Sequence, residues 1–168
     1  MALLCAIAGK SGSGKTTLAE ALSMLYDVPR DSFASPLRWA LHELGVKAPY
    51  PRRLLQRIGD VLRSYDQDHF VSLLWERNPD WSSSGLVVDD LRYENEYHHL
   101  RERGFVLVYL QGSFRPLVGE EAEHESENAL DPERLIFDLV LPPGGSVVQR
   151  VAAVSRLIRE RTALVSRG

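Results

Sequence analysis

The stretch GKSGSGKT, Gly9 to Thr16, constrains this chain more than anything else in it. It meets the pattern G-x-x-x-x-G-K-[ST] at Gly9, Gly14, Lys15 and Thr16, and its setting decides what the match means. The apolar run Ala2 to Ala8 precedes it, and the helically spaced TLAEALSMLY (17–26) follows. Strand, glycine-rich turn and helix, in that order, let backbone N–H groups turn inward as a cradle for phosphate oxygens. Gly12 and Gly14 free the backbone for the turn. The helix opening near Lys15 adds the positive end of its dipole. Gly12, Ser13, Gly14, Lys15, Thr16 and Thr17 are therefore the candidate ligands of a nucleoside triphosphate. Lys15 is expected to reach the β- and γ-phosphates, and the Thr16 hydroxyl to ligate Mg²⁺.

Short continuous apolar runs recur downstream. GLVVDD (85–90) and FVLVYL (105–110) are rich in β-branched residues, LIFDLVL (135–141) is similar, and VPRDSF (28–33) is weaker. Runs that are apolar at consecutive positions suit parallel strands covered on both faces. Helical patterns lie between them. In VVQRVAAVSRLIRE (147–160), Val147, Val148, Val151, Val154, Leu157 and Ile158 share one face, with arginines opposite. PRRLLQRIGDVLRSY (51–65) has Pro51 suited to a first helical turn and an apolar stripe of Leu54, Leu55, Ile58, Val61 and Leu62. PLRWALHELG (36–45) and YENEYHHLRERG (93–104) each close on a glycine.

Strand alternating with helix predicts an α/β doubly wound fold: a five-stranded parallel sheet with helices on both faces and the first strand near the middle. One domain, 1–168, accounts for the whole chain. The segment 36–80 has helical patterns and no strand, so a helical cap is expected over the carboxyl ends of the strands, where such sheets bind ligands. Residues 112–128, GSFRPLVGEEAEHESEN, are long, polar and weakly patterned. They are expected to form a lid-like loop that carries Arg115, is mobile without ligands, and orders with His124 and Glu127 near the cleft.

Composition narrows the classes of function. A net charge of −3 and a pI near 6.0 argue against stable nucleic-acid binding. No apolar run reaches the roughly 18 residues of a membrane span, and the apolar start lacks the basic leader of a signal peptide. The single cysteine, Cys5, can form no internal disulfide and is expected in the core, as suits a cytoplasmic protein. A GTPase would need an N-K-x-D base-reading motif, and the chain has none.

The second half of a phosphate site is sought in LVVDDLRYENE (86–96). An apolar strand that ends in a carboxylate is the usual partner of a phosphate loop, holding Mg²⁺ directly or through water. Asp89 and Asp90 both qualify; Asp90 is the candidate metal ligand with Thr16, and Arg92, two residues on, can face a phosphate. The cap adds Arg38, Arg52, Arg53, Arg57 and Arg63. Arg53 and Arg57 are i, i+4 neighbours with Gln56 beside them, and a carboxylate, a bound phosphate or solvent could be the partner of such a cluster. Phe33 or Trp39 could stack on a base, whereas Trp75 and Trp81 are read as packing and His98 and His99 as solvated.

GKSGSGKTT, FASPLRWAL, RRLLQRIGDVLR, VVDDLRYENE and HESENAL occur in the order seen in bacteriophage-type deoxynucleoside monophosphate kinases, and the chain resembles that family from residue 3 to about 160. The resemblance implies a P-loop kinase fold with a small helical cap for the acceptor. It also implies transfer of the γ-phosphate of ATP, with Mg²⁺, to a deoxynucleoside 5′-monophosphate, giving the diphosphate. Lys15, Asp90 and Arg92 would be catalytic; Phe33, Arg38, Arg53, Gln56, Arg57, Arg63, Arg92 and Glu127 would meet the acceptor. VVDDLRY is also similar to the Asp-Arg-aromatic strand end of thymidylate kinases, with Leu91 inserted, where the arginine holds the acceptor phosphate. Small-molecule nucleotides are then the partners, a homodimer is left open, and the location is the cytoplasm, the host's if the chain is phage-encoded. Departures are Asp60, where a threonine often follows the helix glycine, and Arg115-Pro116, which stands a few residues late. The rival readings are a P-loop kinase acting on a modified base or another small phosphate acceptor, and a non-catalytic nucleotide-binding adaptor.

Overall fold

The apolar start becomes β1 (Leu4–Gly9), and the residues after the glycine-rich turn become α1 (Lys15–Tyr26). This computed structural model describes residues 2–114, 118–119 and 123–165. Then follow β2 (Arg30–Asp31), α2 (Ser35–Glu43), α3 (Arg52–Tyr65), α4 (His69–Arg77), α5 (Trp81–Ser84), β3 (Leu86–Leu91), α6 (Glu94–Glu102), β4 (Val106–Leu110), α7 (Glu125–Asn128), β5 (Leu139–Leu141) and α8 (Val147–Val165). All pairings in the five-stranded sheet are parallel and the order is β2-β3-β1-β4-β5, so the strand feeding the glycine-rich turn lies in the middle.

The strand alternation sorts the core into two layers. Cys5 and Ile7 face α1 and α8 with Leu18, Leu22 and Val154; Ala6 and Ala8 face the other side with Phe33, Leu37, Phe70, Leu74 and Leu100. Leu18, Leu22 and Leu74 are fully buried, each contributing about 2 kcal/mol of apolar transfer. Cys5 lies in this interior, where burial pushes its thiol up to about 12, so it is a core residue and not a reactive one. Trp75 and Trp81 pack on each other and on Phe105, with ring centroids 5.4 to 6.1 Å apart, as the packing reading expects.

Some expected edges move. VPRDSF yields only the two residues of β2, and LIFDLVL yields β5 alone, with Ile136 71% exposed. Pro51 is the residue before α3 and not in its first turn, and Val61 drops out of the apolar stripe onto the exposed face. On α8 Val148 is exposed, while Arg150, grouped with the solvent-facing arginines by periodicity, is buried. Val61, Val148 and Arg150 depart for one reason: periodicity reports which residues share a face, and tertiary packing decides which face is covered.

The register of β3 bears on the site. Ala6 pairs with Val88 and Ala8 with Leu91, so β3 carries one residue more than β1 over this interval. The bulge falls at Asp89–Asp90, where it re-aims side chains at the sheet's carboxyl edge.

Candidate active site

Gly9 has φ 138°, and a Cβ there would stand 2.5 Å from the Leu110 carbonyl oxygen, so only glycine fits. Gly14, at φ 94°, is the N-cap of α1 and brings the turn into the helix. Lys15 folds back over the loop: its Nζ donates to the carbonyls of Gly9 at 2.6 Å and Lys10 at 2.8 Å. Burial, with repulsion from Arg92, lowers its pKa from 10.5 to about 7. Ser13 Oγ is buried with no hydrogen-bond partner among the described residues, an orphaned donor that a phosphate oxygen would satisfy. Thr16 and Thr17 lie exposed in the first turn of α1.

The bulged end of β3 separates the two aspartates. Asp89 accepts from Arg30 at 2.6 Å, tying the strand edge together; burial and the neighbouring Asp90 nonetheless raise its pKa. Asp90 accepts from the backbone N–H groups of Phe33 at 2.7 Å and Ala34 at 3.0 Å, which fixes the entry to α2. Arg92 leaves the strand end and donates to the Ser126 carbonyl and to Glu127.

Beside this edge opens a cleft whose empty space, the solvent at its mouth included, is about 580 Å³. Phe33, Arg38, Gln56, Arg63, Asp90 and Arg92, all expected from the sequence, line it. Gln56 Nε2 and the Tyr93 hydroxyl are buried there without hydrogen-bond partners among the described residues. Arg63 lies over two aromatic rings, its guanidinium carbon 3.8 Å from the Tyr93 centroid and 4.6 Å from that of Phe70. Gly59 makes room for it, since a Cβ there would stand 2.8 Å from Arg63 Nη1.

Arg53 and Arg57 do not line this cleft; both are exposed on α3. The i, i+4 argument identified neighbours on one face but not which face the fold turns inward. Arg52 lines the cleft instead, one residue out of that register. Trp39, the alternative to Phe33 as a base platform, is 68% exposed and outside it. Arg115 lies outside the described residues.

Two acids are more deeply engaged than their spacing announced. Glu96, in the first turn of α6, accepts from the N–H groups of Arg92 at 3.0 Å and Tyr93 at 3.1 Å and lies 3.5 Å from Arg63. Burial pushes its pKa up to about 7. The signal for it was the acid three residues after Tyr93, the N3 half of a capping box. Glu127, on α7, accepts the Ser11 N–H at 2.7 Å with one oxygen and Arg52 and Arg92 with the other. Burial raises its pKa, but Arg92, the Ser11 N–H and Arg52 outweigh it and hold the carboxyl below its ordinary value. His124 caps the same short helix and meets Asp60 of α3 at 2.8 Å. The motif H-x-S-E thus fastens one segment both to the phosphate loop and to α3. Asp60, a departure from the family pattern, is one of its anchors.

No family model matches the chain. A protein of Acanthamoeba polyphaga mimivirus, provisionally named a deoxynucleotide monophosphate kinase, is 29% identical over 175 residues, covering 83% of this chain and 87% of its own. Among solved structures, a gluconokinase from Sinorhizobium meliloti 1021 aligns with TM-score 0.61 at 19% identity over 99% of this chain and 97% of that one. The shikimate kinase of Acinetobacter baumannii, in complex with shikimate, aligns with TM-score 0.62 at 15% identity over 95% and 94%. The fold is that of the P-loop kinases. In this P-loop kinase fold the cleft stands beside the carboxyl edge of β3, next to the loop that would hold the donor. Among the described residues no helix is long and apolar enough to cross a membrane.

Proposed function

We propose that the chain is an ATP-dependent kinase that moves the γ-phosphoryl group to a deoxynucleoside 5′-monophosphate. The observation that carries this reading is the shared carboxylate of Glu127. One oxyanion is held at once by an N–H of the phosphate loop, by Arg52 of α3 and by Arg92 at the end of β3. An anion site common to the donor loop and the acceptor cleft is what transfer between two phosphates requires, because the reacting groups repel unless cations bridge them. The name of the mimivirus relative points the same way.

Residues 36–80 act as the acceptor cap and 112–128 as the lid, its described ends already held in the free protein by Ser113 and Glu127 on Ser11 and by His124 on Asp60. Arg92 and Arg52 receive the acceptor phosphate, and Phe33, Arg38, Gln56 and Arg63 surround the nucleoside. Lys15 swings from the loop carbonyls to the donor phosphates. The residues fit Mg²⁺: Thr16 presents an exposed hydroxyl, and each Asp90 oxygen keeps a lone pair beyond the N–H it accepts. Thr16 and Asp90 would hold the ion, which supplies charge neutralisation on the donor phosphates. The cytoplasm is the location that this chemistry suits.

A coupled assay of ATP turnover across all ribo- and deoxynucleoside monophosphates, with gluconate and shikimate as controls, tests the proposal. Turnover with at least one deoxynucleoside monophosphate is expected. Turnover with a control alone would move the acceptor to another class. ATP binding with no turnover at all would favour the adaptor reading.

A further inference from the structure

Arg150 is a buried cation in an unfavourable place. It is 7% exposed, lies in the first turn of α8, where the helix dipole disfavours positive charge, and has no carboxylate within salt-bridge distance among the described residues. Its hydrogen-bond partners are carbonyls: Nη1 donates to Ser13 at 2.8 Å, and Nη2 and Nε donate to Gly144 at 3.0 and 3.3 Å; the guanidinium carbon also stands 5.8 Å from the centroid of the Phe114 ring.

The Ser13 carbonyl is the last of three in a row that the scaffold grips from outside the loop. The Ser113 hydroxyl donates to the Ser11 carbonyl, the Phe114 N–H donates to that of Gly12 at 3.0 Å, and Arg150 takes that of Ser13. Across a trans peptide the N–H points opposite to the C=O, so carbonyls drawn outward turn the N–H groups of Gly12 and Gly14 toward the cradle, while that of Ser13 closes the turn onto the Lys10 carbonyl at 3.2 Å. Arg150 is the charged member of this clamp. Its donation polarises the Ser13–Gly14 peptide and strengthens Gly14 N–H as a donor.

We infer that Arg150 is a positioning residue of the donor site: it fixes and polarises the Ser13–Gly14 peptide so that Gly14 N–H meets the diphosphate portion of the bound nucleotide. The anion on the inner side of that peptide supplies the negative charge that Arg150 lacks in the free protein. The inference rests on the kinase reading only in taking the loop as the donor site; it makes no use of the acceptor.

The test compares wild type with Arg150→Met and Arg150→Lys, using ADP and inorganic pyrophosphate as probes in calorimetry and the Gly14 amide resonance in ¹⁵N spectra. Arg150→Met is expected to weaken both probes by about tenfold or more, on the scale of a charged hydrogen bond, and to shift the Gly14 amide proton upfield. Equal loss of both probes places the effect at the phosphates. Loss of ADP alone, or ADP affinity within about twofold of wild type, would overturn the inference. Should the methionine variant fail to fold, Arg150→Lys decides. An ammonium keeps the charge but not the fork that spans Ser13 and Gly144, so about a threefold loss of ADP affinity is expected and wild-type affinity would overturn it. A wild-type protein that binds neither probe would overturn the donor-site reading together with this inference, whereas absence of turnover with any acceptor would leave these binding results standing.

Discussion

The glycine-rich loop and the cleft beside β3, donor and acceptor sites in the proposed function, are built in opposite ways. The loop is one contiguous stretch between β1 and α1, its shape set by Gly9, Gly12 and Gly14 at positive φ. The cleft draws Phe33 from the entry to α2, Arg52, Gln56 and Arg63 from α3, Arg92 from the end of β3 and Ser126 from α7. Local geometry specifies the first; only the packing of α2, α3 and α6 against the sheet assembles the second. Glu127 joins them, since its carboxylate touches both. A contiguous loop tolerates little change in sequence, whereas an assembled cleft can change its substrate by small shifts in α3.

The largest effect is expected on the donor side. Lys15→Ala should lower kcat at least about a hundredfold by removing charge opposite the developing transition state. Because the Lys15 pKa falls from 10.5 to about 7 in the free protein, phosphate binding should return a proton to it. ADP binding at about pH 8 should then show proton uptake by buffer-dependent calorimetry, vanishing near pH 6 and in Lys15→Ala. The sign for stability follows: a depressed folded-state pKa means a contribution present above 10.5 and lost progressively as pH falls to about 7, and the alanine variant should not show that loss. A fully active, folded Lys15→Ala would break the comparison at its strongest point.

Arg92→Lys comes next, with kcat/KM expected to fall roughly thirtyfold, about 2 kcal/mol, because a point charge replaces a planar fork. Wild-type kinetics would move the acceptor phosphate elsewhere. At the joint itself, Glu127→Gln should let inorganic pyrophosphate bind about fivefold tighter, since the Ser11 N–H and both arginines lose a charged competitor. Weaker binding would mean that the carboxylate holds the arginines in place for the ligand and does not compete with it.

Gly59→Ala separates stability from function on the cleft side. Alanine favours the helix by about 1 kcal/mol, yet its Cβ would displace Arg63 from over its rings. A melting temperature at or above wild type should accompany a KM for the acceptor about threefold higher, the scale of a weakened cation–π contact. The smallest effect is expected from Arg57→Ala, within about twofold of wild type in every kinetic constant because its side chain is exposed. Arg52→Ala should exceed it clearly, and the reverse order would redraw the inner face of α3.

Sequence alone determined the glycine-rich loop between β1 and α1. The strand, the spacing of the glycines, Lys15 and the helix that follows are neighbours along the chain, so pattern and geometry coincide. It also determined the parallel α/β sheet with β1 in its middle, because continuous apolar runs and helical stripes report burial directly. The tertiary structure decided the rest. It turned Arg52 inward and left Arg53 and Arg57 outside, a rotation of α3 that an i, i+4 spacing cannot specify. It placed a bulge at Asp89–Asp90, buried Arg150 against the back of the loop, and brought Glu127 to Ser11 across more than a hundred residues of sequence. Those contacts join residues far apart in the chain, and their partners follow from how the helices pack on the sheet, which no local spacing encodes.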